Sequence, residues 1–202
     1  MAKRIVKPKL LVVEGKKDKR FFKALITKLG LQDIQVRFME GKSGYRAKLK
    51  AIYNTENFAQ VRSLGITRDA NDNPDGTFQS VRDALQVLDL PAPSHPMEFT
   101  SGSPNVMVMI LPRKNAIGEL EDLCLKSVEN DKAIHCVEQY FQCIKERDLD
   151  EPRKVSKAKV QVFLASKREL AADVGWAAEK GYWRFEEEAF EEAKVFLHQI
   201  FS

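Results

Sequence analysis

The chain has 202 residues, of which 44% are hydrophobic and 31% charged, and these proportions are sufficient for one well-packed domain. Every apolar run is shorter than the roughly 18 residues needed to cross a bilayer, and the basic start lacks the apolar segment of a secretion signal. Three cysteines without a CxxC pair argue against a disulfide framework or a zinc knuckle. We therefore expect a cytoplasmic protein that does not insert into a membrane.

The 33 lysine and arginine residues exceed the 29 acidic residues, which gives a formal net charge of +4. This excess says little by itself, because nucleic-acid binding depends on where positive charge is clustered. Basic residues do concentrate locally, in MAKRIVKPK at the start, in GKKDKR at residues 15–20 and in RKVSKAK at residues 153–159.

Alternating strand and helix patterns begin at the start of the chain. Residues 9–13 (KLLVV) form an almost uninterrupted apolar run, as expected of a strand that is covered on both faces. A helix follows from about Asp18 to Gly30, because apolar residues recur there at helical spacing and glycine favours a helix end. Residues 34–39 alternate like a second strand, and GKSG at 41–44 predicts a turn.

The same alternation continues through the middle of the chain. A second helix is predicted to run through about Gln60, followed by a third strand at residues 61–67. A polar loop at 68–76 leads into an amphipathic helix at 78–88, and the proline-rich segment 90–104 predicts a long loop. Its MEFT sequence is compatible with a short strand. A fourth apolar run at residues 106–111 is then followed by a helix that contains Leu120 and Leu123.

From residue 131 onward the pattern is helical, with helices predicted at 155–165, at 169–178 and at the C-terminus. Strands that alternate with helices indicate a mostly parallel sheet. We therefore predict an α/β fold with a mostly parallel four-stranded sheet flanked by helices. We treat residues 1–202 as a single domain with an α/β core at 8–130 and a helical C-terminal extension at 131–202.

Acidic and amide side chains follow three of the predicted strands. Glu14 ends the first strand, Asp69, Asn71 and Asp72 follow the third, and Glu121 lies beyond the fourth. The carboxyl ends of parallel strands meet at one rim of a sheet, so we expect these side chains to converge. Crowded carboxylates repel one another unless a proton or a cation intervenes, and oxygen ligands favour a hard ion. The sequence therefore predicts a site for Mg²⁺ or Mn²⁺.

Positively charged side chains are expected near the same rim, where they are candidates for holding phosphate groups. This set comprises Lys16, Lys17, Arg68, Arg113 and Lys114. A structural interpretation also exists, because acids in such loops frequently cap helices, which is the more common role for Asp18, Asp75 and Glu119. Glu14 differs from these, since an apolar strand seldom gives way directly to Glu-Gly without a functional reason.

Two segments at these strand ends resemble the motifs of a known family. VVEGKKD is similar to the glutamate motif of the Toprim domain, the catalytic module of topoisomerases, bacterial primases, OLD-type nucleases and small ribosomal-RNA maturation nucleases. GITRDAND, after the third strand, is similar to the paired-aspartate motif of the same family. The resemblance covers roughly residues 8–130 and implies a Rossmann-like, Toprim-like sheet.

The resemblance also implies roles for individual residues. Glu14 would be a general acid/base or metal-adjacent group, and Asp69 would be a magnesium ligand. Where the family usually has Asp-x-Asp, this chain has Asn71 in the second position. An amide oxygen can coordinate magnesium but brings no negative charge, so we expect either weaker binding of the ion or compensation by Asp72, Glu121 or Asp122.

Two functions therefore stay open. The first is a magnesium-dependent nuclease in which Glu14 and Asp69 are catalytic and the acids hold the metal against DNA or RNA. The alternative is a catalytically degenerate Toprim-like module that binds a nucleotide, a nucleic acid or a protein partner, which the asparagine at position 71 favours. A protein partner docked on the helical extension is a further possibility.

Overall fold

A computed structural model describes residues 4–39 and 44–202 of the chain. Its strands are β1 (Lys9–Val13), β2 (Ile34–Phe38), β3 (Ser63–Asp69) and β4 (Asn105–Leu111). They form one sheet in the order β2-β1-β3-β4, and all three neighbouring pairs are parallel. The prediction of an α/β fold with a parallel four-stranded sheet is confirmed.

Eight helices accompany the sheet in the described part of the chain. They are α1 (Lys16–Lys28), α2 (Tyr45–Tyr53), α3 (Pro74–Val87), α4 (Leu120–Ser127), α5 (Lys132–Glu146), α6 (Val155–Ala165), α7 (Val174–Glu179) and α8 (Glu191–Phe201). Short 3-10 helices lie at Phe58–Gln60 and Glu188–Phe190. None of the helices in these ranges has the length and apolar character that a membrane crossing requires.

The sheet separates two apolar clusters, because successive side chains of a strand point to opposite faces. Leu10 and Val12 of β1 belong to the cluster that also contains residues of α2 and α3. Leu11 and Val13 belong to the other cluster, together with residues of α1, α4, α6, α7 and α8. Helices therefore cover both faces, which explains why β1 reads as a continuous apolar run.

The chain reverses its direction across the sheet between β1 and β3. From β1 it passes through α1 to β2 at one edge, and it then returns through α2 to β3 on the other side of β1. In open parallel sheets, ligands bind at the carboxyl ends of the strands beside such a switch point. Residues 14 and 69 stand at the carboxyl ends of these two adjacent strands.

The helical extension packs directly on the sheet. A Cβ atom placed on Gly65 of β3 would lie 3.0 Å from Phe201 Cζ and 3.1 Å from Phe196 Cζ. Glycine therefore allows the two α8 rings to approach the strand backbone closely. The Lys9 ammonium at the start of β1 also donates to the Phe201 carbonyl. Strands and C-terminal helices consequently share one apolar cluster.

Several element boundaries differ from those predicted. The second helix ends at Tyr53 instead of about Gln60, because Asn57 has a left-handed backbone (φ 69°) and a separate 3-10 helix follows it. β3 continues to Asp69, so this residue is the last of the strand and does not lie in the loop. The MEFT segment contributes only an isolated bridge between Thr100 and Val106. Residues 41–43 of the predicted GKSG turn lie outside the described residues.

The prediction for the helix at 169–178 was wrong at its start. α7 begins only at Val174, where the Asp173 side chain accepts hydrogen bonds from the backbone N–H groups of Gly175 and Trp176, both at 2.9 Å. An aspartate that accepts from the first free N–H groups fixes the start of a helix.

Candidate functional site

The turn between β1 and α1 buries one carboxylate beside the end of the sheet. Gly15 is the N-cap of α1, and its N–H donates to Asp18 Oδ2 at 2.6 Å. The Asp18 side chain thereby folds back over the first helical turn, and the residue is only 3% exposed. Its other oxygen, Oδ1, has no hydrogen-bond partner among residues 4–39 and 44–202. Asp18 thus caps the helix as predicted and also presents an unpaired buried oxygen.

Asp69 joins the end of β3 to the start of α4. Its Oδ1 accepts a hydrogen bond from the Leu120 backbone N–H at 3.0 Å, and the residue is 7% exposed. The first N–H groups of a helix lack intrahelical partners and favour a negative charge nearby. The predicted catalytic aspartate is therefore held at a helix start.

Glu121, in the first turn of α4, forms an ion pair with Lys17 of α1. The residue is 4% exposed, and its Oε2 lacks a hydrogen-bond partner within the described chain. Burial alone would lower the pKa of Lys17, but the hydrogen bond and the charge of Glu121 raise it, so the ammonium stays charged. Lys17 was predicted to hold phosphate, and here it is engaged with a buried acid.

The acids lie close together, because Asp69 accepts from Leu120 next to Glu121, and Glu121 pairs with Lys17 next to Asp18. Burial, followed by the charges of Asp18 and Glu14, raises the pKa of Asp69 to about 8. Burial also raises the pKa of Asp18 to about 6, with Glu121 and Glu14 adding to the shift and Lys17 opposing it. The negative charges of Glu14 and Glu121 therefore contribute to the raised pKa of both Asp69 and Asp18. We call Glu14, Asp18, Asp69 and Glu121 the acid cluster.

Glu14 differs from the other members of the acid cluster because it is exposed. Its Oε2 lies 3.9 Å from Arg68 Nε, and the Arg68 guanidinium lies 4.4 Å from the centroid of the Tyr45 ring. The guanidinium of Arg68 therefore contacts both an aromatic ring of α2 and the carboxylate of Glu14. An exposed carboxylate with a neighbouring guanidinium is accessible to a substrate.

Asn71 and Asp72 lie on the surface, in contrast to the buried acids. Asn71 has a left-handed backbone (φ 50°) and pairs with Gly118 through two backbone hydrogen bonds of 2.7 Å. Its side-chain oxygen accepts from the Lys154 ammonium at 3.2 Å. The structure thus leaves Asn71 and Asp72 outside the buried acids Asp18, Asp69 and Glu121, and both remain predicted ligands.

Arg113 and Lys114 lie on the loop after the edge strand β4, and both are exposed. The Lys114 N–H donates to Glu192 Oε1 of α8 at 2.8 Å. Burial raises the pKa of Glu192, and this hydrogen bond and the charges of Arg113 and Lys114 partly oppose the shift. The structure thus places these two predicted phosphate ligands beside α8.

The helical extension contributes side chains to this end of the sheet that were not predicted to lie there. Lys157 Nζ lies 2.8 Å from Glu119 Oε2, and the Ser156 hydroxyl donates to Asp122. With Lys154 on Asn71, the start of α6 therefore covers one side of the site. The basic run RKVSKAK was the only sequence feature that pointed to this contact. A run of charge does not identify its partners, and Asn71 lies 83 positions from Lys154.

The donors of the acid cluster fit a hard divalent ion. All are carboxylate oxygens, and two buried ones, Asp18 Oδ1 and Glu121 Oε2, lack a protein partner in the described ranges. Mg²⁺ keeps several waters and commonly takes only one or two carboxylates, so full enclosure by protein is not required. Within residues 4–39 and 44–202, no group of three or more His, Cys, Asp or Glu side chains is arranged to hold a metal ion. An ion bound here would therefore need water for most of its ligands.

A family model described as "Protein of unknown function (DUF3226)" matches residues 8–202. No curated protein and no solved structure matches the chain. The matched range begins just before β1 and ends after α8, so it includes both the sheet and the helical extension. Because the match covers almost the whole sequence, the chain belongs to the DUF3226 family.

Proposed function

We propose that this protein is a Mg²⁺-dependent nuclease of the Toprim type, which hydrolyses phosphodiester bonds in a nucleic acid in the cytoplasm. The observation that carries the proposal is the convergence of the acid cluster at the switch point of the sheet, with two unpaired buried carboxylate oxygens. Buried carboxylates without partners are costly, and a cation resolves that cost. The resemblance of VVEGKKD and GITRDAND to Toprim motifs supports the same function.

Each side chain then has a defined task. Asp69 would provide one oxygen ligand, Glu121 or Asp18 a second and water the rest, and the bound ion would neutralise charge at the phosphoryl group and lower the pKa of a bound water. Glu14 is exposed and therefore able to exchange a proton with the substrate. Arg68 is positioned over Tyr45 to hold a phosphate oxygen beside Glu14.

A second candidate is a module that binds a nucleotide or nucleic acid without hydrolysis. The Lys17 ammonium already pairs with Glu121 within the acid cluster, so a protein cation partly fulfils the role of the metal. The uncharged Asn71 in place of the usual second aspartate further lowers the negative charge available to an ion. Both observations favour binding over chemistry.

A cleavage assay distinguishes the two candidates. Supercoiled plasmid, single-stranded DNA and structured RNA are incubated with the protein in Mg²⁺ and in Mn²⁺, and the same assay is run with Glu14→Gln, Asp69→Asn and the control Asp75→Asn. Asp75 is an exposed aspartate at the start of α3. We expect cleavage that disappears in the first two variants and persists in the control. Binding without cleavage under every condition would support the second candidate instead.

A further inference from the structure

Helix α1 carries a row of positively charged side chains that begins near the acid cluster and continues along the helix. Its 13 residues, KKDKRFFKALITK, include six lysines and arginines and a single acid. Lys16, Arg20 and Lys23 are spaced by four and three residues, so they lie on one face of the helix. Lys16 and Lys23 are exposed, in contrast to Lys17, which turns inward to Glu121.

An aromatic side chain lies beside this row. Trp176 of α7 is 43% exposed, and the Arg20 guanidinium lies 4.7 Å from the centroid of its ring. Asp173 Oδ2, 3.5 Å from Arg20 Nη1, holds the guanidinium in this place. Exposed tryptophan is uncommon on a protein surface, and here the arginine orients it. Trp183, the other tryptophan, is 2% exposed and packs on Phe163, so it has a core role.

The two helices are locked together at the end of α1 that touches the acid cluster. A Cβ atom on Gly175 would lie only 2.4 Å from the Lys17 carbonyl oxygen and 2.7 Å from Arg20 Cβ. This close approach sets α7, and with it Trp176, directly against the first turns of α1. The ring is therefore at a fixed position relative to the candidate catalytic residues.

The C-terminal half of α1 borders a groove of about 620 Å³, whose other wall is formed by the end of α7 and the segment that follows it. Lys23, Lys28 and Arg184 contribute positive charge to its lining, and Glu179 and Glu186 contribute negative charge. A helix of this length spans roughly 20 Å, so positive charge extends from the acid cluster to the groove over that distance. A polyanion that follows this path would reach Glu14 with one end.

We propose that this surface, the α1 track (Lys16, Arg20, Lys23 and Trp176), binds a single strand of nucleic acid and guides it to the acid cluster. The inference rests on the proposed function, which it deepens by naming the substrate class. The cations would contact successive phosphates, and one base would stack on Trp176. Bases of a duplex are stacked on one another inside the helix, whereas those of a single strand are free to stack on a protein ring.

Binding is measured without metal, so that the track is tested apart from hydrolysis. A fluorescently labelled short oligothymidylate is titrated with the protein in EDTA, and affinity is read from fluorescence anisotropy at several salt concentrations. The variants are Trp176→Ala, Trp176→Phe and the double variant Lys16→Ala/Lys23→Ala. Matched controls on α5 are Tyr140→Ala, also an exposed aromatic, and Lys132→Ala/Lys145→Ala. Melting curves establish that each variant is folded.

Stacking of one base contributes about 1 to 3 kcal/mol, so Trp176→Ala should weaken binding about five-fold or more, and Trp176→Phe should recover part of it. The double lysine variant should weaken binding and flatten its dependence on salt. The α5 controls should bind like the wild type. In the wild type, the oligonucleotide should also quench the fluorescence of the exposed tryptophan.

Three results would overturn the proposal: an unchanged affinity in folded Trp176→Ala, equal affinity for duplex and single strand, or equal competition by polyglutamate. Cleavage in Mg²⁺ and Mn²⁺ is recorded separately on the same samples. Track-dependent binding without cleavage would therefore contradict the hydrolysis alone, and cleavage that is indifferent to Trp176 would contradict the track alone.

Discussion

The carboxyl group of Asp69 is buried at the end of a strand, among other acids, and this determines its protonation. Burial raises the pKa of Asp69 from its ordinary value of 3.8 to about 8. Between these two pH values the folded protein keeps a proton on this carboxyl group, whereas the unfolded chain has released it. A bound cation would replace this proton. The residue therefore links metal affinity, pH and stability.

The raised pKa of Asp69 predicts the sign of a pH effect. Between about pH 4 and pH 8 the native state binds the extra proton, so its stability should fall as the pH rises. Asp69→Asn cannot ionise, and its amide oxygen can still accept the hydrogen bond from Leu120. We expect this variant to melt above the wild type at pH 8 in EDTA, with the difference shrinking toward pH 5. Thermal unfolding across this range checks the expectation, and a wild type that is the more stable at pH 8 would contradict it.

Lys17 acts as the resident cation of the acid cluster through its pair with Glu121. Lys17→Met should lower stability in EDTA, because it leaves a buried carboxylate without its partner. The same change should increase the stabilisation by Mg²⁺ and shift it to lower ion concentrations, since the competing ammonium is gone. Melting temperature against MgCl₂ concentration measures both effects.

The matched control for this substitution is Lys180→Met, which removes a lysine from an exposed pair with Glu169. An exposed pair contributes little to stability, so this variant should behave like the wild type. An identical Mg²⁺ response in Lys17→Met and wild type would show that the ammonium and the ion do not share a site.

The site residues differ in how far the sequence alone predicted their contacts. Glu14 and Asp69 could be predicted as partners because their strand ends were visible in the apolar pattern. Asp18 was assigned only a capping role, which is correct for Oδ2, whereas the burial of Oδ1 depends on packing that no local pattern encodes. Lys17 was predicted to face phosphate, and its inward turn depends on Glu121, which is remote in sequence.

At the scale of elements, the pairing of α1 with α7 depends on a glycine. A Cβ on Gly175 would approach the Lys17 carbonyl to 2.4 Å, which forces backbone to move. Gly175→Ala should therefore destabilise the protein by about 1 to 3 kcal/mol, although alanine is the better helix former. Chemical denaturation measures the loss. The control is Gly44→Ala, where nothing lies within 4 Å of the new atom and little change is expected.

The elements also differ in how well their sequences predicted them. β1 and β4 were found because full burial leaves a short apolar run with little polar interruption, and β2 was found because its residues alternate. α7 was placed too early, since residues 169–173 resemble a helix in composition and only the Asp173 cap sets the true start. The packing of α6 over the site could not be predicted, because helical periodicity identifies an apolar face without identifying what it contacts.

At the scale of the whole molecule, the sheet brings together residues from the start of α1, the end of β3 and the start of α4, of which Lys17 and Glu121 are 104 positions apart. The carboxyl ends of β1 and β3 adjoin the switch point of the sheet. The helical extension lies on one side of this position, where Lys154 contacts Asn71 and Lys157 contacts Glu119. A ligand is therefore expected to approach from the side of α1. This arrangement is the structural basis of the proposed cation site and of the proposed direction of substrate approach.

Isothermal titration calorimetry with Mg²⁺ and Mn²⁺ tests the central claim, which is that the acid cluster binds a divalent cation. The wild type, Asp69→Asn and Glu121→Gln are compared with the control Asp75→Asn at neutral pH. We predict saturable binding of the ion in the wild type and the control, with proton release, and a strong loss of affinity in the other two variants. Absence of saturable binding in the wild type, or equal affinity in all four proteins, would contradict the account.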